Sequence, residues 1–156
     1  MRPPADQVAG RYPIMVSHTA YPRFRALTAT VDGKLAGFGY GFHGANGQWW
    51  HDHVRFALGQ ASADKWLADC FELAELHVLP EFQGRGIGSG LIRDLTIVRP
   101  ERTVVLSTRD RESVARRLYR STGFTDLLTA YLFDGVAPAY AVMGAELPLR
   151  AASPSR

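Results

Sequence analysis

The chain is poor in cysteine, in lysine and in long apolar runs, and each shortage closes off a class of protein. Cys70 is the only cysteine among 156 residues, so no internal disulfide can form. Its neighbours Leu67, Phe71 and Leu73 make it a small buried apolar residue, with no His or Asn spacing to support an acyl-cysteine. No Cys/His cluster carries zinc spacing, and no metal is expected. His51-Asp52-His53 is the nearest approach, and two histidines at i and i+2 of a helix point apart. No apolar stretch nears the ~20 residues that cross a bilayer, and the Met-Arg-Pro-Pro start lacks an apolar leader core. A cytoplasmic protein with no membrane contact is the expectation. Only two of the eighteen basic residues are lysine. The sixteen arginines scatter instead of forming a stripe, so nucleic acid is not an expected partner.

What remains is a soluble globular composition, 46% hydrophobic and 21% charged. The length fits one domain, residues 1–150, followed by a tail, 151–156, expected to be disordered.

The most informative stretch is residues 76–91, in which a strand stops at Pro80 and a glycine-rich turn runs into a helix. A strand feeding such a turn into a helix N-terminus builds an anion site. Backbone N–H groups converge there, the helix dipole adds partial positive charge, and glycine lets the ligand approach. The spacing excludes two familiar versions. No Lys-Ser/Thr follows the glycines, against a P-loop, and Ser89 stands where a dinucleotide fingerprint needs its third glycine. The pattern Q/R-x-x-G-x-G/A is met by Gln83-Gly84-Arg85-Gly86-Ile87-Gly88. Here the chain resembles the GNAT N-acetyltransferase superfamily, whose turn of this form grips the pyrophosphate of acetyl-CoA.

A second segment, Ala115-Arg116-Arg117-Leu118-Tyr119-Arg120-Ser121-Thr122-Gly123-Phe124, is similar to the family's A-x-x-L/F-Y-x-x-x-G-F pattern. Ala115, Leu118 and Tyr119 fall at i, i+3 and i+4 on one helical face, and Gly123 suits the left-handed residue that ends a helix. Taken alone, this reads equally as an amphipathic helix with a core tyrosine at its rim. Five arginines, 109, 111, 116, 117 and 120, surround it. They read as a solvated helix face or, functionally, as attraction for the ribose phosphate of CoA.

Along the chain, residues 1–22 hold four prolines and read as irregular, with a short helix near residues 6–10. Residues 24–42 form a β-hairpin turned by Asp32-Gly33. Gly37, Gly39 and Gly41 alternate with Phe38, Tyr40 and Phe42, so one face invites a close neighbour. Two short helices broken near Gly59 fill residues 49–69, with Ser62 as an N-cap. A central strand at 71–79, a helix at 86–98, a strand at 103–108, a helix at 112–121 and strands at 124–133 and 139–147 complete the order. The resemblance implies an α/β (α+β) GNAT-type sheet, mixed and mostly antiparallel, twisted, with a splayed central strand and flanking helices. The family opens with a strand and one or two helices before the hairpin, and only some twenty residues precede Phe24 here. The N-terminal elements are therefore expected to be shortened. Glu112 stands where the family often has an Asn that contacts the cofactor.

The resemblance also implies the chemistry. Acetyl-CoA is the co-substrate, and the acceptor is a primary amine of a small molecule or of a protein or peptide. Main-chain groups of Gln83, Gly84, Arg85, Gly86, Ile87, Gly88 and Ser89 are expected to hold the pyrophosphate. Those of Leu76, His77 and Val78 are expected to hold the arm and polarise the thioester. Tyr119 is the candidate general acid. Glu72 is the candidate base, because strand alternation sends Glu72 and Glu75 to opposite faces and the family often places an acid six residues before Val78. Trp50 and residues 38–42 are expected to line the acceptor pocket. The competing classes are a non-catalytic acyl-CoA-binding sensor or partner module and a different nucleotide-binding domain. A homodimer through the last strands is a family-level expectation.

Overall fold

A computed structural model describes residues 5–150, with side chains from residue 12 onward. The tail 151–156 lies outside the described residues. The elements run α1 (Ala5–His18), β1 (Arg25–Val31), β2 (Lys34–Gly44), α2 (Trp49–Leu58), α3 (Gln60–Trp66), β3 (Cys70–Val78), α4 (Ile87–Thr96), β4 (Thr103–Arg109), α5 (Val114–Ser121), β5 (Thr125–Tyr131) and β6 (Tyr140–Glu146). They build one six-stranded sheet in the order β1-β2-β3-β4-β6-β5. Only β3 and β4 pair in parallel. No helix among the described residues is long and apolar enough to cross a membrane.

Local chemistry accounts for most of this. Asp32 and Gly33 both adopt positive φ, the requirement of the two-residue turn that matches strand twist. Gly59, at φ +80°, ends α2 and begins α3. Ser62 therefore lies inside α3 and caps nothing. Gly123, at φ +102°, reverses the chain after α5, and Phe124 N–H reaches back to Tyr119 O at 3.0 Å.

The N-terminus differs from expectation. The segment read as largely irregular is a 14-residue helix that continues through Pro13. Proline removes one helical hydrogen bond, but the C-terminal end is fastened to β2. There Tyr40 O–H meets His18 Nδ1 at 2.9 Å, and His18 and Tyr21 pack on the Phe42 ring. A helix thus stands before the hairpin after all, although no strand precedes it among the described residues.

Two apolar layers sandwich the sheet. Phe71, Leu73, Ile92, Leu95, Leu106, Tyr119 and Met143 pack on the α4/α5 face. Val54, Leu67, Cys70, Val105 and Val142 pack on the α2/α3 face. Two features of β3 then position the site. Its pairing with β4 stops after three residue pairs, the last being Glu72 with Val105, while both strands run on, so the sheet splays there. Against β2, Tyr40 opposes Glu75 but Gly41 opposes Leu73, leaving Ala74 as an extra residue, a β-bulge.

The bulge overturns the alternation argument for the two acids. Glu75 faces Tyr40, Glu72 faces Phe42, and Tyr40 and Phe42 lie two apart on one face of β2. Glu72 and Glu75 therefore share a face, opposite that of Leu73 and Leu76.

Candidate active site

One cleft of about 520 Å³ opens on the α4/α5 side of the splay. It gathers Leu76, His77 and Val78 from β3, Gln83, Gly84 and Gly86 from the turn, Ile87, Gly88 and Ser89 from the start of α4, and Ala115, Arg117, Leu118 and Tyr119 from α5. Arg85 and Glu72 are not in its lining. Arg85 lies over the Phe82 ring at 5.4 Å, and Glu72 is buried on the other face at the apex of the splay.

The turn has the form of an anion cradle. Gly84 and Gly86 take φ near +80°, and the position of an added Cβ at either meets no atom within 4 Å. The floor is glycine and the space above it is open. The N-terminal bond of α4 runs from Gly90 N–H to Gly86 O, so the N–H groups of Ile87, Gly88 and Ser89 have no acceptor within the helix. Gln83 is spent differently. Its N–H goes to Pro80 O at 3.3 Å and its side-chain amide donates to Val78 O at 3.1 Å, tying the turn to the end of β3. A diphosphate fits this donor set, since an anion at a helix N-terminus is stabilised by about 0.3–1 kcal/mol per charge from the dipole alone.

Tyr119 is 7% exposed and packs against Phe124. Burial, and then the Glu75 charge, push its phenol up to about 12. That is some three units above a free thiol. Tyr119 therefore keeps its proton through neutral pH.

On the opposite face the splay is lined by acids and aromatics. Glu75 Oε2 pairs with His77 Nε2 at 2.5 Å, and Phe38 packs on the His77 ring. Burial and the charges of Glu75 and Glu72 hold the Tyr40 hydroxyl well above its usual range. His18 is lowered by burial, with Glu75 opposing, and its Nδ1 stands 2.9 Å from the Tyr40 hydroxyl. Phe42 is buried beneath His18 and Tyr21 and does not reach the cleft. Trp50 donates from Nε1 to Ser107 Oγ on the far arm at 3.0 Å.

The absent side chains leave room for β3 itself: His77 O and the Phe71 ring stand where Cβ atoms on Gly37 and Gly41 would be, and Leu76 and Glu75 O crowd the same position at Gly39. The close neighbour on that face is the sheet, not a ligand. His51 and His53 diverge, the first bonding Leu67 O and the second Trp49 O and Asp134. Of the five arginines, Arg117 lines the cleft, Arg120 pairs with Glu112 at 2.7 Å, Arg109 lies over Tyr140 and Arg116 is buried.

Glu72 carries a testable consequence. Burial pushes its carboxyl from 4.5 up to about 8. Between those values the unfolded chain has released the proton and the folded chain still holds it. Stability is then full below about 4.5 and falls as pH rises through about 8, by a few kcal/mol. Urea melts from pH 4.5 to 8.5 should show this slope, and Glu72→Gln should flatten it and stabilise the protein at pH 8. A wild-type slope retained in the variant would assign it to another group.

The comparisons with known proteins fit this geometry. Residues 22–126 match the family model described as an acetyltransferase (GNAT) domain. The GCN5-like protein acetyltransferase Rv2170 of Mycobacterium tuberculosis is 40% identical over 139 residues, 84% of this chain and 66% of that protein. The chain thus spans just under two thirds of that relative's length. Among solved structures, nourseothricin acetyltransferase superposes with a TM-score of 0.57 at 24% identity, covering 81% of this chain and 67% of the other. The PaiA N-acetyltransferase of Thermoplasma acidophilum, solved with coenzyme A, gives 0.55 at 17%, covering 90% and 70%. The splayed sheet, the open glycine turn and the family match over most of its length establish that this chain belongs to the GNAT acetyltransferase family.

Proposed function

We propose that the chain catalyses acetyl-CoA-dependent acetylation of a primary amine, and that the amine belongs to a protein or peptide in preference to a small molecule. The reading rests on one observation: the gap between β3 and β4 has anion donors and Tyr119 on one face and Glu75 on the other. The preference among acceptors follows the name of the 40% identical relative.

Acetyl-CoA supplies the acyl group as a thioester. The N–H groups of residues 84 and 86–89 hold its diphosphate. The edge of β3 that faces the gap beyond Glu72 offers main-chain groups of Leu76, His77 and Val78 to the arm and the carbonyl. On the other face the acceptor must shed a proton. An alkylamine of pKa near 10.4 loses about 3.4 units, or roughly 4.6 kcal/mol, at pH 7. Glu75, partly exposed and oriented by His77, receives that proton more directly than Glu72, which packed side chains cover. Tyr119 donates to the departing sulfur.

Glu75→Gln is expected to lower kcat/KM about 10²-fold at pH 7. The loss should shrink as pH approaches the pKa of the amine, because the free amine then needs no base. An unaltered variant would remove Glu75 from the mechanism. The function as a whole is tested by free-thiol release from acetyl-CoA with peptide lysines, peptide N-termini and small amines. Amine-dependent release is the expected result. Acetyl-CoA binding with no turnover on any amine would favour an acyl-CoA-binding module, and preference for ATP or NAD would exclude both.

A further inference from the structure

Arg116 is 4% exposed, and a guanidinium persists in such a place only when it is paired. Its Nη2 donates to Asp126 Oδ2 at 3.0 Å, while its buried Nη1 makes no hydrogen bond and meets Asp110 Oδ1 as an ion pair at 3.5 Å. The two partners belong to different elements. Asp126 is on β5 opposite Met143, hence on the α5 face. Asp110 follows the splayed end of β4, and its Oδ2 accepts the N–H of Ala130, where β5 turns to φ +52°. One side chain therefore ties α5 to β5 and to the far arm of the splay. Tyr119 lies three residues on, buried like Arg116. Helix α5 has eight residues, and its apolar hold on the core comes from Ala115, Leu118 and Tyr119, since Val114 is 57% exposed. The A-x-x-L-Y pattern leaves position 116 open, so the cluster is a feature of this chain beyond that pattern.

We propose that Arg116 is a positioning residue: by clamping α5 to Asp110 and Asp126 it sets where the Tyr119 hydroxyl stands in the splay. The proposal rests on the reading of Tyr119 as the hydrogen-bond donor to the departing sulfur. Arg116→Lys keeps the charge and loses the two-point fork. It should lower kcat about tenfold to hundredfold, the scale of a misplaced catalytic group, and leave KM for acetyl-CoA within about twofold. In a Tyr119→Phe background the same substitution should change kcat by less than about twofold. Equal losses in both backgrounds, or an unchanged kcat in Arg116→Lys, would overturn the proposal. Asp126→Asn, taken through the same cycle, covers the case in which Arg116→Lys does not fold. A readout free of turnover is the Tyr119 Cζ resonance, identified by its disappearance in Tyr119→Phe. It should move in both variants, and a resonance that stays in place would defeat the clamp. Full activity of Tyr119→Phe alone would withdraw the donor role and leave that spectroscopic test standing.

Discussion

Replacing Gly86 by valine should abolish acetyl-CoA binding in calorimetry, weakening it by more than about 10²-fold, while the protein stays folded. Gly86 sits at φ +80°, ψ 7°, left-handed and directly before α4. An L-residue there costs about 1–2 kcal/mol, and a branched one is a clear outlier. The added Cβ itself meets nothing within 4 Å, so the penalty reaches the core only weakly. Two responses are open to the turn, and both end binding. If it holds its shape, the isopropyl group fills the space over the N–H groups of residues 87–89. If it relaxes, those N–H vectors no longer converge. Gly90→Ala is the matching control. Its Cβ also points into open space, but at helical φ, so it should raise stability by about 0.5–1 kcal/mol and leave affinity unchanged. Undiminished binding in Gly86→Val would make the turn a purely structural element.

Those glycines show what a sequence can disclose. Asp32-Gly33, Gly59, Gly86 and Gly123 each sit where the chain turns, because positive φ is a local requirement that glycine advertises. The strands and helices around the turn could be placed for the same reason. The acceptor face could not. Nothing in residues 70–78 marks Ala74 as an extra residue, since no glycine or proline interrupts the strand. The bulge belongs to the pairing with β2, where the Phe71 ring occupies the space that a side chain on Gly41 would need. A period-two reading carried unbroken past that point sends Glu75 to the wrong face. The spacing of Glu75 and His77, two apart beyond the bulge, was the available hint that they act as a pair. Helix α1 escaped for a related reason. Its anchor is a set of contacts from His18 and Tyr21 to Tyr40 and Phe42, more than twenty residues away, and these outweigh the local signal of Pro13. Arg116 likewise looked like one of five similar surface arginines until the sheet brought Asp110 and Asp126 to it.

Tyr119→Phe should reduce kcat about 10²-fold and leave the acetyl-CoA dissociation constant within about twofold. The variant removes one oxygen and keeps the ring that packs on Phe124, so the core is undisturbed and the N–H groups of the glycine turn are unaltered. The pH dependence separates this role from that of Glu75. With its phenol at about 12, Tyr119 is protonated throughout pH 6–9, so its loss should lower kcat by the same factor across that range. Removing a base should instead matter least at high pH. The leaving group offers a second handle. A hydrogen bond to a departing sulfur matters most when the thiol is a weak acid, so an acetyl thioester of a more acidic thiol should narrow the gap between variant and wild type. A gap of constant size would mean that Tyr119 acts on the ring's surroundings and not on the sulfur. Turnover equal to wild type would remove the phenol from the chemistry altogether.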